Sequence, residues 1–564
     1  MVEYFTPAFF AGDGDQKMTN TSFFNHERLS RFFLLSVILC VVFGLVFRAW
    51  NIAQNDFVFY DEGLYLNHNR VLGQIFTVYF PKSLSEFGKA LYAYISSCLA
   101  SGKSLWFAIA DSRIFFGLFR TWFYARIMAS VFGCATLLIV YRFARRWYAS
   151  KAVAGLSLAI LALLPSHVFY SRIGMQEALS TFLVSLGLYL YVFSRQYNWR
   201  SFVSGAIFAA CFFSNYRLII LPVPIIMVEL WLAWFGSKRV DERRLVTALL
   251  MFTAGVFVIG NIDNGRNTFL TFAWMFHQAQ MAGEVFHPVN FLSYPYYLFR
   301  LEHWLFGLMF FLSFYGFKKG TFSKMLPMVF VLLMMAIFSL PSEKGARYLC
   351  ITYPFMAMSV AFGIVSFYER FSRWQAKAAV AGLCVAMIAG LAVKSYAVAL
   401  IRSDYRTSAE YILSQDPQAK WFSTQDIVQS LYASRLEQVK PCPNSFEGLA
   451  QGLAEGYRFL VIDPQAYVSW IPGKERFPFE LIGYLEYLKR TVRPVKEFSH
   501  FSDVMLERFV FEHSGNLLQS VHFLNAAKKD GFSQGRLYVY DVNTVVNSML
   551  AALLRSQSSA GGTP

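Results

Sequence analysis

Phe32-Phe33-Leu34-Leu35-Ser36-Val37-Ile38-Leu39-Cys40-Val41-Val42-Phe43-Gly44-Leu45-Val46-Phe47 runs without one charged side chain and closes on Arg48-Ala49-Trp50. A helix over about 32–50, rising 1.5 Å per residue, crosses the roughly 30 Å of hydrocarbon in a bilayer. The residues before it are polar, contain Gly, Asp and Asn, and have no apolar core of their own. The run therefore reads as a retained span rather than a cleavable signal peptide, and residues 1–30 as a cytoplasmic tail, in which the sequon Asn20-Thr21-Ser22 carries no meaning.

Outward from this run, stretches of similar length and character recur at about 121–141, 152–169, 178–194, 201–216, 218–235, 245–262, 303–317, 325–340, 348–368 and 377–397, about eleven in all. The pair around Asn215-Tyr216-Arg217 and Pro222 is the weakest, because one apolar region must reverse direction there. Loop charge tests this division, since basic residues accumulate on cytoplasmic loops. Arg142, Arg145, Arg146 and Lys151 follow the second stretch, and Arg195 and Arg200 the fourth. Lys238, Arg239, Arg243 and Arg244 follow the sixth, Lys318, Lys319 and Lys324 the eighth, and Arg370, Arg373 and Lys377 the tenth. Alternate loops are basic, so the N-terminus is expected inside and the C-terminus outside.

The composition agrees: of 564 residues 56% are hydrophobic and only 15% charged, with 60 Phe and 31 Tyr, and the mean hydropathy is +0.40. A water-soluble chain carries roughly a quarter charged residues. The net charge of +16 follows from the cytoplasmic loops and does not indicate nucleic-acid binding. Of the seven cysteines, Cys40, Cys134, Cys211, Cys350 and Cys384 lie in apolar runs and read as packing residues. Cys98 and Cys442 could pair only if both face an oxidising compartment.

The remaining polar features gather on one, extracytoplasmic face: Asp61-Glu62, the stretch from Ser171-Arg172 to Glu177, Asn215 to Arg217, residues 263–302, and Ser342 to Arg347. The first outer loop, 51–120, mixes apolar and polar residues with aromatics from Leu84 to Ile109, as interfacial helices do. After Val398 the character becomes that of a soluble protein. Helices are expected at Tyr405–Leu413, Ile427–Arg435, Phe479–Lys489 and Val545–Leu554, and strands at Trp421–Ser423, Arg458–Asp463 and Leu537–Tyr540, a small α/β domain over 399–555. Residues 556–564 read as a disordered tail.

Two carboxylates beside a bilayer, in Phe57-Val58-Phe59-Tyr60-Asp61-Glu62-Gly63-Leu64-Tyr65, lose hydration that a partner, a polar cavity or a substrate must replace. On position alone they could equally be solvated acids of an interfacial loop. Glu177 could be a helix N-terminal acid favoured by the macrodipole, and Lys344 with Arg347 a snorkelling or capping pair. As a group, acids able to take a proton stand with cations able to hold a phosphate.

Four segments carry a family likeness. They are Phe59-Tyr60-Asp61-Glu62-Gly63-Leu64-Tyr65; Ala125-Arg126-Ile127-Met128-Ala129-Ser130 with Gly133, Tyr141 and Arg145-Arg146-Trp147-Tyr148; Leu163-Leu164-Pro165-Ser166, Tyr170-Ser171-Arg172 and Glu177-Ala178-Leu179; and Ser342-Glu343-Lys344-Gly345-Ala346-Arg347-Tyr348 followed by Tyr353-Pro354-Phe355. In this order they resemble the GT-C superfamily of polyprenyl-phosphate-sugar-dependent membrane glycosyltransferases, near the branch of protein O-mannosyltransferases and the lipid A aminoarabinose transferase. Glu177 stands where many relatives carry Asp.

The resemblance spans roughly residues 30–400. It implies a GT-C-like polytopic α-helical catalytic domain over 31–398, acting in inverting transfer of a sugar from a polyprenyl-phosphate donor to a glycan, lipid or protein acceptor. Asp61 would then be the general base or acceptor-orienting carboxylate, with Glu62 and Glu177 shaping the same pocket. Arg172, Lys344 and Arg347 would bind the donor phosphate. Tyr60, Arg126, Arg217, Tyr297, His303 and Tyr348 are candidates for the cavity rim. A divalent cation could be shared by carboxylates and phosphate but is not required. A bacterial inner membrane is the expected location. The competing reading is a secondary transporter using outer-face acids and arginines for an anionic or proton-coupled substrate. It leaves unexplained why the acids avoid the bilayer midplane and why an α/β region follows the last span.

Overall fold

The computed structural model of the protein describes residues 27–52, 62–63, 65, 71–72, 75–100, 105–106, 123–194, 198–235, 240–260, 288–317, 319–340, 344–443, 445–463, 488, 490–499, 503–512, 517–529 and 536–560. Its first part is helical. The helices are α1 (Glu27–Ala49), α2 (Leu84–Ala100), α3 (Phe123–Trp147), α4 (Lys151–Ala162), α5 (Pro165–Tyr170), α6 (Glu177–Val192) and α7 (Asn198–Ser214). They continue as α8 (Pro222–Phe235), α9 (Glu242–Gly260), α10 (Trp304–Leu312), α11 (Leu326–Ser339), α12 (Tyr353–Arg370) and α13 (Trp374–Ala399).

Each apolar stretch singled out in the sequence overlaps one of these helices, and 152–169 overlaps two, α4 and α5. Among the described residues, six helical segments are long and apolar enough to cross a membrane: Arg31–Ala49, Tyr124–Trp147, Tyr216–Phe235, Phe322–Ser339, Ala346–Arg370 and Trp374–Ala399. Others are shorter, among them Lys151–Ala162, Glu177–Val192, Trp199–Ser214 and Trp304–Gly316. The protein is an integral membrane protein, and its burial pattern shows why lipid is the solvent. Of the most apolar stretch in Ala346–Arg370, 94% is buried, against 17% in Arg31–Ala49 and 11% in Trp374–Ala399. α12 is thus the central helix, while α1 and α13 turn Phe32, Phe43, Val385 and Val393 outward. Such continuous apolar exposure is unfavourable in water by about 25 cal/mol per Å² and costs nothing in hydrocarbon.

The break between α4 and α5 shows how polar groups are handled in this setting. α4 starts on Ser150, whose hydroxyl accepts from the Val153 amide, and ends because Pro165, the first residue of α5, has no N–H for the Leu161 carbonyl. Arg48 of α1, fully buried, satisfies the freed carbonyls, donating to Leu161 (3.2 Å), Ala162 (2.7 Å) and Gly44 (2.7 Å). His167 Nδ1 lies 2.6 Å from the same guanidinium. One cation therefore ties α1 to the α4–α5 corner.

After α13 come α14 (Tyr405–Gln415), α15 (Phe446–Ala454), α16 (Asp503–Glu512), α17 (Leu517–Lys529) and α18 (Val542–Ala560). With them is a mixed sheet of β1 (Lys420–Ser423), β2 (Val439–Pro441), β3 (Tyr457–Ile462), β4 (Lys496–Phe498) and β5 (Leu537–Asp541) in the order β2-β1-β3-β5-β4. β1 runs parallel to β2 and β3, with Trp421 opposite Val439 on one side and Phe459 on the other. β5 is antiparallel to β3 and β4. α15, capped by Ser445, makes the crossover that a parallel neighbour requires.

Two sequence expectations differ here. Of the expected helix 427–435 only 427–429 are α-helical, within the turn Asp426–Gln429, and α18 continues to Ala560, through part of the stretch expected to be a disordered tail. Most of 479–489 lies outside the described residues. Cys442 is a free, buried thiol, its pKa pushed up to about 12 by burial, and the side chain of Cys98 lies outside the described residues.

Candidate functional site

Residues 171–176, between α5 and α6, form the wall that leads into Glu177 of the site, and Glu62 anchors them. Its carboxylate, fully buried, accepts a fork of hydrogen bonds from Arg126 of α3, Nε to Oε1 at 2.6 Å and Nη2 to Oε2 at 3.0 Å. The Gly174 amide donates to Oε1 at 2.7 Å. A Cβ on Gly174 would stand 3.1 Å from that oxygen and 3.1 Å from the Ala125 methyl, so the backbone approaches this closely only because the residue is glycine. Gly63, next in the chain, is equally confined, its Cβ position 3.1 Å from Val428 of the C-terminal part. Asp61 and Tyr60 lie outside the described residues.

Arg172 is occupied by main chain. It donates to the carbonyls of Phe47, Trp50 (2.9 Å) and Ala399 (3.1 Å), which pins the ends of α1 and α13 to the wall. Burial lowers its pKa to about 10, with Arg126 and Arg48 nearby adding to the effect. The sequence placed Arg172 among phosphate ligands; in the structure its guanidinium donates to these three helix-end carbonyls and is absent from the cavity lining.

Four other candidates do meet. Glu177, Arg217, Arg347 and Tyr348 line one small cavity together with Ser180, Asn215 and Cys350. Glu177 is the first residue of α6, where an acid gains from the helix dipole. Arg217 enters from the turn Tyr216–Ile220, which Asn215 caps by accepting from the Arg217 amide at 3.2 Å. Tyr348 carries the Arg217 guanidinium 4.2 Å from its ring centre and that of Arg347 at 5.9 Å, distances at which the ring quadrupole attracts a cation.

Arg347 reaches the cavity from the segment preceding α12, which also carries Lys344, a residue outside the cavity lining. The Tyr297 hydroxyl holds this segment by donating to the Lys344 carbonyl at 3.0 Å. Burial lowers the Lys344 ammonium to about 8. His303 is engaged elsewhere, as the N-cap of α10, with Nδ1 accepting from the Leu305 amide at 3.3 Å and its ring packed on Gly390 of α13.

The contribution from α16 had no counterpart among the sequence expectations. Its Arg508, buried, donates to the Ser166 hydroxyl and to the Leu301 carbonyl at 3.4 Å. Ser166 in turn donates through its hydroxyl and, at 3.0 Å, its amide to the buried Glu302 carboxylate. Glu507 pairs with Arg300, and Glu512 Oε2 lies 3.8 Å from Arg347 Nε. An amphipathic pattern was the only available signal, and it reads equally well as an exposed helix. Among the described residues no three His, Cys, Asp or Glu side chains are grouped to hold a metal ion.

No protein-family model matches the sequence, and no curated protein matches it. Among solved structures, the chain is similar to archaeal oligosaccharyltransferase AglB from Archaeoglobus fulgidus in complex with an inhibitory peptide and a dolichol-phosphate. The TM-score is 0.51 at 12% identity, over 79% of this chain and 72% of that one. The apo form of the Archaeoglobus fulgidus oligosaccharyltransferase gives 0.51 at 11% identity, over 80% and 72%. ArnT from Cupriavidus metallidurans bound to undecaprenyl phosphate gives 0.49 at 12% identity, over 79% and 95%. The chain shares its overall fold with these two archaeal oligosaccharyltransferase structures.

Proposed function

We propose that the protein is a membrane glycosyltransferase that moves a sugar from a polyprenyl-phosphate donor to an acceptor on the extracytoplasmic face, with inversion at the anomeric carbon. The observation that carries this reading is the cavity that Glu177, Arg217, Arg347 and Tyr348 line together. An acid suited to sugar hydroxyls stands there beside two guanidinium groups suited to a phosphate. The fold shared with an oligosaccharyltransferase whose structure holds a dolichol-phosphate supports it.

In the reaction, an acceptor oxygen attacks the anomeric carbon from the face opposite the phosphate. The sugar–phosphate C–O bond breaks, its electron pair leaves on the phosphate, and the acceptor proton passes to the Asp61 carboxylate. Lys344 and Arg347, with Arg217, hold the phosphate and stabilise the charge it gains. Glu62, its oxygens taken by Arg126 and Gly174, keeps the 171–176 wall in place. About eleven helices spanning the membrane, with residues 399–555 outside, set the sidedness this requires.

Asp61→Asn tests the reading. The variant is expected to fold in membranes like the parent and to lose sugar transfer from a lipid-linked donor by a factor of at least about 10². Transfer within twofold of the parent would remove Asp61 from the mechanism.

A further inference from the structure

We propose that Glu512, carried to the cavity by α16 of the C-terminal part, is a resident counter-ion of Arg347 that the donor phosphate displaces. It thereby sets how tightly the site holds polyprenyl phosphate, an inference that rests on the donor-site reading above.

Position is the first argument. Glu512 Oε2 lies 3.8 Å from Arg347 Nε, with both side chains buried, and Arg347 lines the cavity. At that distance the two charges attract without sharing a hydrogen bond between those atoms. An incoming anion can therefore separate them more readily than it could the fork of Glu62 and Arg126.

Burial is the second argument. Glu512 is almost wholly buried. A carboxylate in such a place needs a cation beside it, and the guanidinium opposite is one. Before a ligand arrives, Arg347 in its low-dielectric surroundings needs a negative charge, and Glu512 supplies it.

Third, α16 presents this carboxylate from a fixed position. Glu507, Arg508, Phe511 and Glu512 share one helical face. Glu507 pairs with Arg300, and Arg508 is bonded to Ser166 and Leu301. The Phe511 ring packs on Tyr296 at 5.8 Å and on Tyr297 at 5.0 Å. Gly345 completes the fit, since a Cβ there would come within 3.1 Å of the Glu512 carbonyl.

The chemistry gives the counter-ion a purpose. A lipid-phosphate sugar is a phosphodiester with one negative charge, whereas the polyprenyl phosphate left after transfer is a monoester with between one and two near neutral pH. A neighbouring carboxylate repels the product more than the donor. Glu512 thus favours release of the spent lipid.

The test uses the full-length protein in detergent and polyprenyl monophosphate as probe. Glu512→Gln is expected to bind the probe about tenfold more tightly than the parent, the size of effect one nearby charge exerts. Its unfolding temperature should fall without probe and recover with it. Arg347→Ala should weaken binding, and adding Glu512→Gln to Arg347→Ala should change affinity less than twofold. Should Glu512→Gln fail to fold, Glu512→Asp, which withdraws the charge by one methylene, is measured instead, with the same sign and a smaller shift. Unchanged or weaker binding by the Glu512 variant, with Arg347→Ala weakened, overturns the counter-ion and leaves the donor site standing. Unchanged binding by Arg347→Ala overturns the donor site itself.

Discussion

Two buried ion pairs flank the candidate site, and they are built differently. Glu62 and Arg126 meet as a fork at 2.6 and 3.0 Å, with a backbone amide filling the same carboxylate. Arg347 and Glu512 stand 3.8 Å apart beside a cavity. Burying either pair carries a desolvation cost, which short, saturated geometry offsets and loose geometry does not. The closed pair is therefore architecture, holding a wall. The open pair keeps its electrostatic strength available for a ligand.

Breaking the closed pair should have the largest effect. Arg126→Ala leaves the Glu62 carboxylate buried without its fork, a change worth about 3–5 kcal/mol of stability. The thermal unfolding midpoint in detergent reports it, with Arg406→Ala as the control. Arg406 pairs with Glu410 at 2.7 Å, but both are largely exposed, and such a pair contributes about 0–1 kcal/mol. Equal midpoint shifts for the two variants would mean that Glu62–Arg126 is not the anchor described here.

A gentler substitution at the open pair separates binding from folding. Arg347→Lys keeps the charge and gives up the planar fork, so polyprenyl phosphate should bind about tenfold more weakly. The unfolding midpoint should move by no more than the Arg406→Ala control. Arg126→Lys, which also loses a fork, should do the reverse and lower the midpoint with little change in affinity. Parallel behaviour of the two lysine variants would erase the distinction between the pairs.

The sequence carried one of these regions further than the other. Apolar runs and alternating basic loops located the membrane helices, because hydrocarbon admits few alternatives to a helix of the right length. The family likeness drew attention to Glu177 and Arg347, which the fold brings to one cavity. Neither the run pattern nor the likeness could pair Glu62 with Arg126 or show that Arg172 is spent on three carbonyls, since those partners are set by tertiary packing. Glu512 was beyond reach for a plainer reason. It lies in a helix whose charges look like an ordinary solvent face, and only docking of α16 against the segment before α12 buries them. The strands β2 and β4, at three residues each, are too short to leave a period-two signature.

Lys344 offers the smallest and most specific effect. Burial holds its ammonium at about 8 rather than 10.5, so the charged form that a phosphate needs is lost as pH rises through about 8. Affinity for polyprenyl phosphate should fall about threefold to fivefold between pH 7 and 9. The probe's own second ionisation, near 6, lies outside that window. Stability of the ligand-free protein should move the other way. The unfolded chain keeps the proton up to 10.5 while the folded one releases it near 8, so unfolding takes up a proton and stability rises with pH across the interval. Opposite slopes for binding and stability are the signature of one buried lysine at the ligand. Lys344→Arg, which stays charged throughout, should flatten both, and a variant that kept the parent's pH profile would move the titration to another group.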